Sequence, residues 1–189
     1  MDEKSKQLVS EICTPIAARA GEVERCDYEY VGNGTANLFM MVEPLGGWRQ
    51  VNVTTRRTKV DFARQVKELA DVHYADAERI TLVMDNLNTH RLSTLYEAFE
   101  PSEARRLLEK IEVIHTPKHG SWLNMAECEL SVLEKQALGA RVGDETELQS
   151  RVTNWGADRN QRCRRIDWQF RTSDARIKLR RLYPQIQLN

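Results

Sequence analysis

The run Ile80-Thr81-Leu82-Val83-Met84, closed by Asp85-Asn86, constrains the fold more than any other stretch of the chain. Five consecutive apolar or β-branched residues are too short for an independent helix and lack helical spacing. They read as a strand buried on both faces. Asp85 and Asn86, then Asn88, Thr89 and His90, break the run with turn-forming residues. A carboxylate therefore falls at the carboxyl end of a central strand, which is where open α/β sheets bind ligands. The ordinary use of such an aspartate is to cap the following turn or helix, so its meaning depends on what the other acids do.

The chain has 189 residues, 41% hydrophobic and 30% charged, enough for one domain with a sizeable core or a domain plus an appendage. No run reaches the length of a membrane span, and the start (Asp2, Glu3, Lys4, Lys6) has no signal-peptide core, so a cytoplasmic address without membrane contact is expected. Cys13, Cys26, Cys128 and Cys163 are scattered without a C-x-x-C pair, which argues against a zinc knuckle or disulfide framework. Net charge is zero but uneven. Residues 1–150 carry 18 basic and 25 acidic side chains, whereas residues 151–189 carry 10 and 3. Arg159, Arg162, Arg164, Arg165, Arg171, Arg176, Lys178, Arg180 and Arg181 could make a surface for a polyanion, although charge alone slightly favours a solvated helix face. Trp155, Trp168 and Phe170 among them read as core anchors.

In chain order, residues 15–34 read as a loop with little regular structure. A hairpin follows, Thr35–Val42 and Trp48–Thr54 around Glu43-Pro44-Leu45-Gly46-Gly47, its second strand alternating so that one face looks solvated. Thr58 caps a helix over Lys59–Tyr74. After the Ile80–Met84 strand come a helical stretch, Ser93–Lys110, broken at Pro101, and a strand, Glu112–His115. A loop (Thr116–Ser121) leads to a helix over Leu123–Leu138, and further helices span Glu145–Arg164 and Ser173–Leu182. Strand hairpin, helix, strand, helix, strand and then helices make an α/β chain with a mixed sheet flanked by helices.

Acids fall at telling places in that order. Asp85 ends one strand, Asp2 sits where an earlier strand would end, and Glu127 and Glu129 both lie at the margins of the apolar stripe of the Leu123–Leu138 helix. Three carboxylates on one rim bind hard divalent cations, and two ions roughly 3.5–4 Å apart activate water for phosphodiester cleavage. Periodicity does not choose between the two glutamates.

Three blocks, Asp2-Glu3-Lys4-Ser5, Asp85-Asn86-Leu87-Asn88-Thr89-His90 and Thr116-Pro117-Lys118-His119-Gly120-Ser121-Trp122-Leu123-Asn124-Met125-Ala126-Glu127, resemble the catalytic blocks of DDE transposases in the bacterial insertion-sequence branch of the mariner-like superfamily. The ending, Ile166-Asp167-Trp168-Gln169-Phe170 through Asp174-Ala175-Arg176 to Leu182-Tyr183-Pro184, resembles that branch's carboxyl end. The third acid of that pattern closes a Leu-Asn-x-x-Glu motif, which selects Glu127. The resemblance implies an RNase H-like fold with Asp2, Asp85 and Glu127 as catalytic, metal-binding residues. It implies two magnesium ions, for which manganese can substitute, with hydrolysis at element ends and strand transfer into target DNA. Lys118 and His119 in the loop, and Arg162, Arg164 and Arg165 in the tail, are candidate DNA contacts.

Relatives carry a strand leading into the first acid and DNA-binding domains before it. This chain starts at Met1, so the first strand is expected to be largely missing and the protein unstable or reliant on a second copy or an amino-terminal transposase half. The expected organisation is a catalytic domain over residues 1–145 and a helical, arginine-rich extension over 146–189. The alternative function is a non-catalytic DNA- or transposase-binding remnant that modulates transposition.

Overall fold

The computed structural model describes residues 1–86, 91–118, 120–178 and 180. Three strands, β1 (Asp2–Glu11), β2 (Tyr30–Glu43) and β3 (Trp48–Thr54), form an antiparallel sheet with β2 in the middle. Asp2 stands opposite Met40, and Met40 opposite Val51. The turn between β2 and β3 closes with Gly47 N donating to Glu43 O at 2.9 Å, and Gly47 takes a φ of 73° that a side chain would strain. β4 (Ile80–Met84) and β5 (Ile111–His115) form a separate parallel pair in register from Ile80↔Ile111 to Met84↔His115.

The helices are α1 (Lys59–Glu68), α2 (Leu95–Ala98), α3 (Pro101–Lys110), α4 (Met125–Ala137), α5 (Glu145–Gln161) and α6 (Thr172–Lys178). Thr58 and Asp61 build a capping box at the start of α1, which continues through one π-helical turn to His73. The break between α2 and α3 falls at Phe99–Glu100, and Pro101 opens α3 at its first position, where its missing N–H costs nothing.

Side chains of β2 alternate between two cores. Phe39 and Met41 join Phe62, Val66, Leu82, Met84, Leu95 and Leu107 on one side. Ala36, Leu38 and Met40 join Leu8, Leu130, Leu133, Leu148, Val152 and Trp155 on the other. The antiparallel sheet is thus sandwiched, α1 with β4 and β5 below and α4 with α5 above. Burying a side chain of this size contributes roughly 1.5–3 kcal/mol, so β2 is the strand on which both cores depend.

Several expectations are corrected. The first strand is not largely missing: β1 begins at Asp2 itself and runs ten residues, because Lys4, Lys6 and Leu8 alternate inward against α4 while the backbone pairs with β2. β2 rather than β4 is the strand buried on both faces, since Leu82 and Met84 point into the core but Thr81 and Val83 are exposed, Val83 by 40%. The sheet is split in two rather than continuous. β2 starts at Tyr30, inside the expected loop, because Tyr30–Gly32 pair with Val9–Glu11 beyond a bulge. Neither face of β3 is solvated, for Asn52 donates to Gln65 and Glu68 of α1 at 2.6 and 2.7 Å while Arg49 and Val51 are buried on the other face. Trp155 is the core anchor expected of it, whereas Trp168 and Phe170 are half-buried and meet ring to ring at 6.3 Å. α5 ends at Gln161 and α6 spans Thr172–Lys178, with the rest of the expected last helix, Leu179 and Arg181–Leu182, outside the described residues.

Candidate functional site

Asp2, Asp85 and Glu127 line one pocket of about 270 Å³ together with Glu3, Lys4, Ser121, Leu130 and Ser131. Each acid arrives from a different element: the first residue of β1, the residue just past β4, and the first turn of α4. Alternate residues of β1 face α4, and residues seven apart on α4 face β1. Lys4 and Lys6 therefore meet Glu134 at 3.3 and 2.6 Å. One step further along the same two faces, Asp2 comes beside Glu127, so a zipper of opposite charges ends in a pair of like charges.

Backbone ties hold the three elements to one another. Met1 N donates to Val83 O at 2.8 Å, and Asn124 Nδ2 donates to Met1 O at 2.8 Å. Asn124 is 2% exposed and also caps α4 by accepting from Ala126 N at 3.2 Å. One side chain thus joins the start of the helix bearing Glu127 to the residue preceding Asp2. The loops after β4 and β5 are laced likewise: Asn86 Nδ2 donates to Thr116 O, Thr116 N to Met84 O at 2.9 Å, and His115 Nδ1 lies 3.0 Å from Asp85 O.

Electrostatics reflect the crowding. Burial pushes the Asp2 carboxyl above its ordinary value, the charges of Asp85 and Glu127 push the same way, and the Glu3 backbone N–H and the Met1 amine oppose them. The Met1 amine is lowered to about 6, mainly by burial. Among the described residues, no three Asp, Glu, His or Cys side chains stand close enough together to hold a metal ion as they are. The donor chemistry still fits a hard divalent cation, since three carboxylates share the pocket and one is held up in pKa partly by the other two.

The two glutamates of α4 separate cleanly. Glu127 is exposed in the pocket, whereas Glu129 is 3% exposed on the far side of the helix and pairs with Arg49 and Arg159. Lys118 is exposed on the turn leading toward Ser121; His119 lies outside the described residues, as do residues 87–90. Arg162, Arg164 and Arg165 are exposed after α5, Arg162 pairing with Asp158 at 2.8 Å. The structure does not bring these three into the acid pocket. A larger groove of about 660 Å³, between Val9–Glu11 and Gly139–Arg141, contains none of the candidate acids. Asn124 is the site residue to which the sequence assigned no role, although an Asn just before a helical apolar stripe is the ordinary signal of an N-cap.

A family model described as DDE superfamily endonuclease matches residues 1–149, a span that includes all three acids and ends before Arg162, Arg164 and Arg165. Neither the curated proteins nor the solved structures include a match.

Proposed function

The chain belongs to the DDE superfamily of endonucleases, and we propose that it is the catalytic part of a transposase that cleaves DNA strands at insertion-element ends and transfers them to target DNA. The observation that carries this reading is the meeting of Asp2, Asp85 and Glu127 in one pocket. We read the layered sheet as an RNase H-like core and assign the three carboxylates to magnesium, with manganese as a substitute. Metal bound there supplies Lewis acidity to the phosphodiester and lowers the pKa of the attacking water.

The chain's own residues do the rest. Asp2 is held buried in the pocket wall with its Oδ1 accepting from Glu3 N at 2.8 Å, which fixes the carboxylate in place. Asn124 resists the separation of Asp2 from Glu127 that their repulsion would drive. We assign Lys118, on the loop before Ser121, and Arg162, Arg164 and Arg165, exposed after α5, to phosphates, which they would neutralise without reading sequence.

The test is nicking of a duplex carrying the element end by the full chain in magnesium, with manganese binding followed separately by electron paramagnetic resonance. Asp85→Ala and Glu127→Ala should reduce both to background. DNA binding without cleavage in either metal would favour the non-catalytic, transposition-modulating alternative, and strand cleavage that survives Asp85→Ala would overturn the assignment.

A further inference from the structure

Glu127 and Glu129 are two residues apart on α4, about 200° around the helix, so they face opposite sides. Whatever holds Glu129 therefore sets where Glu127 points. Glu129 Oε1 accepts from Arg159 Nη2 at 2.8 Å, and Glu129 Oε2 lies 3.1 Å from Arg49 Nε, an ion pair not aligned as a hydrogen bond. Arg49 is 1% exposed, and its Nη2 donates to the Arg164 carbonyl. Its backbone is gripped from α5, for Asn160 Oδ1 accepts from Arg49 N and Asn160 Nδ2 donates to Arg49 O, both at 2.8 Å. One carboxylate thus joins α4 to β3 and α5, and its partner Arg49 extends the joint to the segment that follows α5.

This cluster is a poor stabiliser on its own terms. Two guanidinium groups share one carboxylate, and burial lowers the Arg49 pKa while Arg159 lowers it further against the pull of Glu129. Arg49 Nη1 and Arg159 Nε are buried without a hydrogen-bond partner among the described residues. Buried ion clusters of this kind are commonly no better than well-packed apolar side chains for stability. What they add is direction. Ala126, Leu130 and Leu133 press α4 into its core through contacts that are not directional, whereas charge-assisted bonds to guanidinium groups fixed on two other elements are.

We infer that Arg49, Glu129 and Arg159 are positioning residues that lock the rotation of α4 and so aim Glu127 into the acid pocket. The inference rests on the function proposed above, in which Glu127 is a metal-binding acid. Without the lock, a turn of α4 by roughly 30°, under a third of one residue step, leaves Leu130 and Leu133 in the core while it swings Glu127 along the pocket wall.

The experiment replaces the cluster with apolar side chains, Arg49→Met with Glu129→Leu and Arg159→Leu, in the full chain. Glu129→Gln, which keeps shape and removes charge, is the second variant and decides the matter should the first fail to fold. Rotation is read as the distance between spin labels on Cys128, exposed beside Glu127, and on Arg105→Cys of α3, with Cys13, Cys26 and Cys163 changed to Ser. Metal affinity is read by manganese titration and stability by thermal melting. The apolar variant should melt at or above the native midpoint, yet shift or broaden the label distance by several ångströms and bind manganese at least tenfold more weakly. Native label distance and native manganese affinity in a folded variant would overturn the inference. If the native chain takes up no manganese, the functional proposal fails by itself, and the label distance still judges the rotation lock.

Discussion

Asn124→Ala tests the joint on which the acid pocket depends. The substitution removes the N-cap of α4, worth about 1 kcal/mol, because Ala126 N loses its acceptor. It also removes the donor to the Met1 carbonyl in a buried setting, and a buried acceptor left unsatisfied costs about 1–3 kcal/mol. Together the loss is about 2–4 kcal/mol, a large share of the 5–15 kcal/mol that holds a typical domain together. Asn124→Asp separates the two contributions: it keeps the capping oxygen but turns an oxygen instead of an N–H toward Met1 O. Urea unfolding should place both the Ala and the Asp chain below the native one, with unchanged denaturant slopes, since the cap retained by Asp comes with a buried carboxylate facing Met1 O. An Asp variant as stable as the native chain would show that the bond from Asn124 to Met1 contributes nothing, and the account of how α4 is tied to β1 would fall.

Three further outcomes are expected. Asp2 is raised above its ordinary pKa by burial and by Asp85 and Glu127, so its ionisation opposes folding as pH rises through the raised value; Asp2→Asn should raise the melting temperature of the metal-free chain at pH 7 and have no effect well below pH 3.8, and a lower melting temperature at pH 7 would contradict this. Glu103 is lowered to about 2 by its hydrogen bonds with Arg106 and Lys67, so its contribution is present above its ordinary value of 4.5 and lost as pH falls toward 2; Glu103→Gln should flatten the acid limb of a melting-temperature profile, and an unchanged limb would refute it. Replacing Arg162, Arg164 and Arg165 with Gln should weaken binding to random duplexes and reduce the salt slope by roughly 0.9 for each phosphate these arginines neutralise, whereas an unchanged slope would return them to a solvated face. Cutting the chain at residue 150 is no substitute for that variant, because it would remove Val152 and Trp155 from the core.

Features set by neighbours in sequence were legible without a structure. The strand Ile80–Met84, the hairpin turn at Gly46-Gly47, the Thr58 cap and the apolar stripe of α4 all depend on local pattern, and each forms within a few residues of its expected limits. The position of Asp85 just past a strand was legible for the same reason, whereas Asp2 follows no extended run and opens β1, so it stood out only through the resemblance of its block. What pairs with what was not. β1 pairs with residues 30–40 across a long intervening arm, and nothing in Asp2–Glu11 announces that partner. Arg49 looked like one polar residue in an alternating strand, and only the arrival of α4 and α5 over β3 turned it into a buried partner of Glu129. The same is true of Glu127 and Glu129, both at the margin of one stripe. Helical periodicity gives the angle between two side chains but not the element each will meet, and that was decided by packing between segments far apart in the chain.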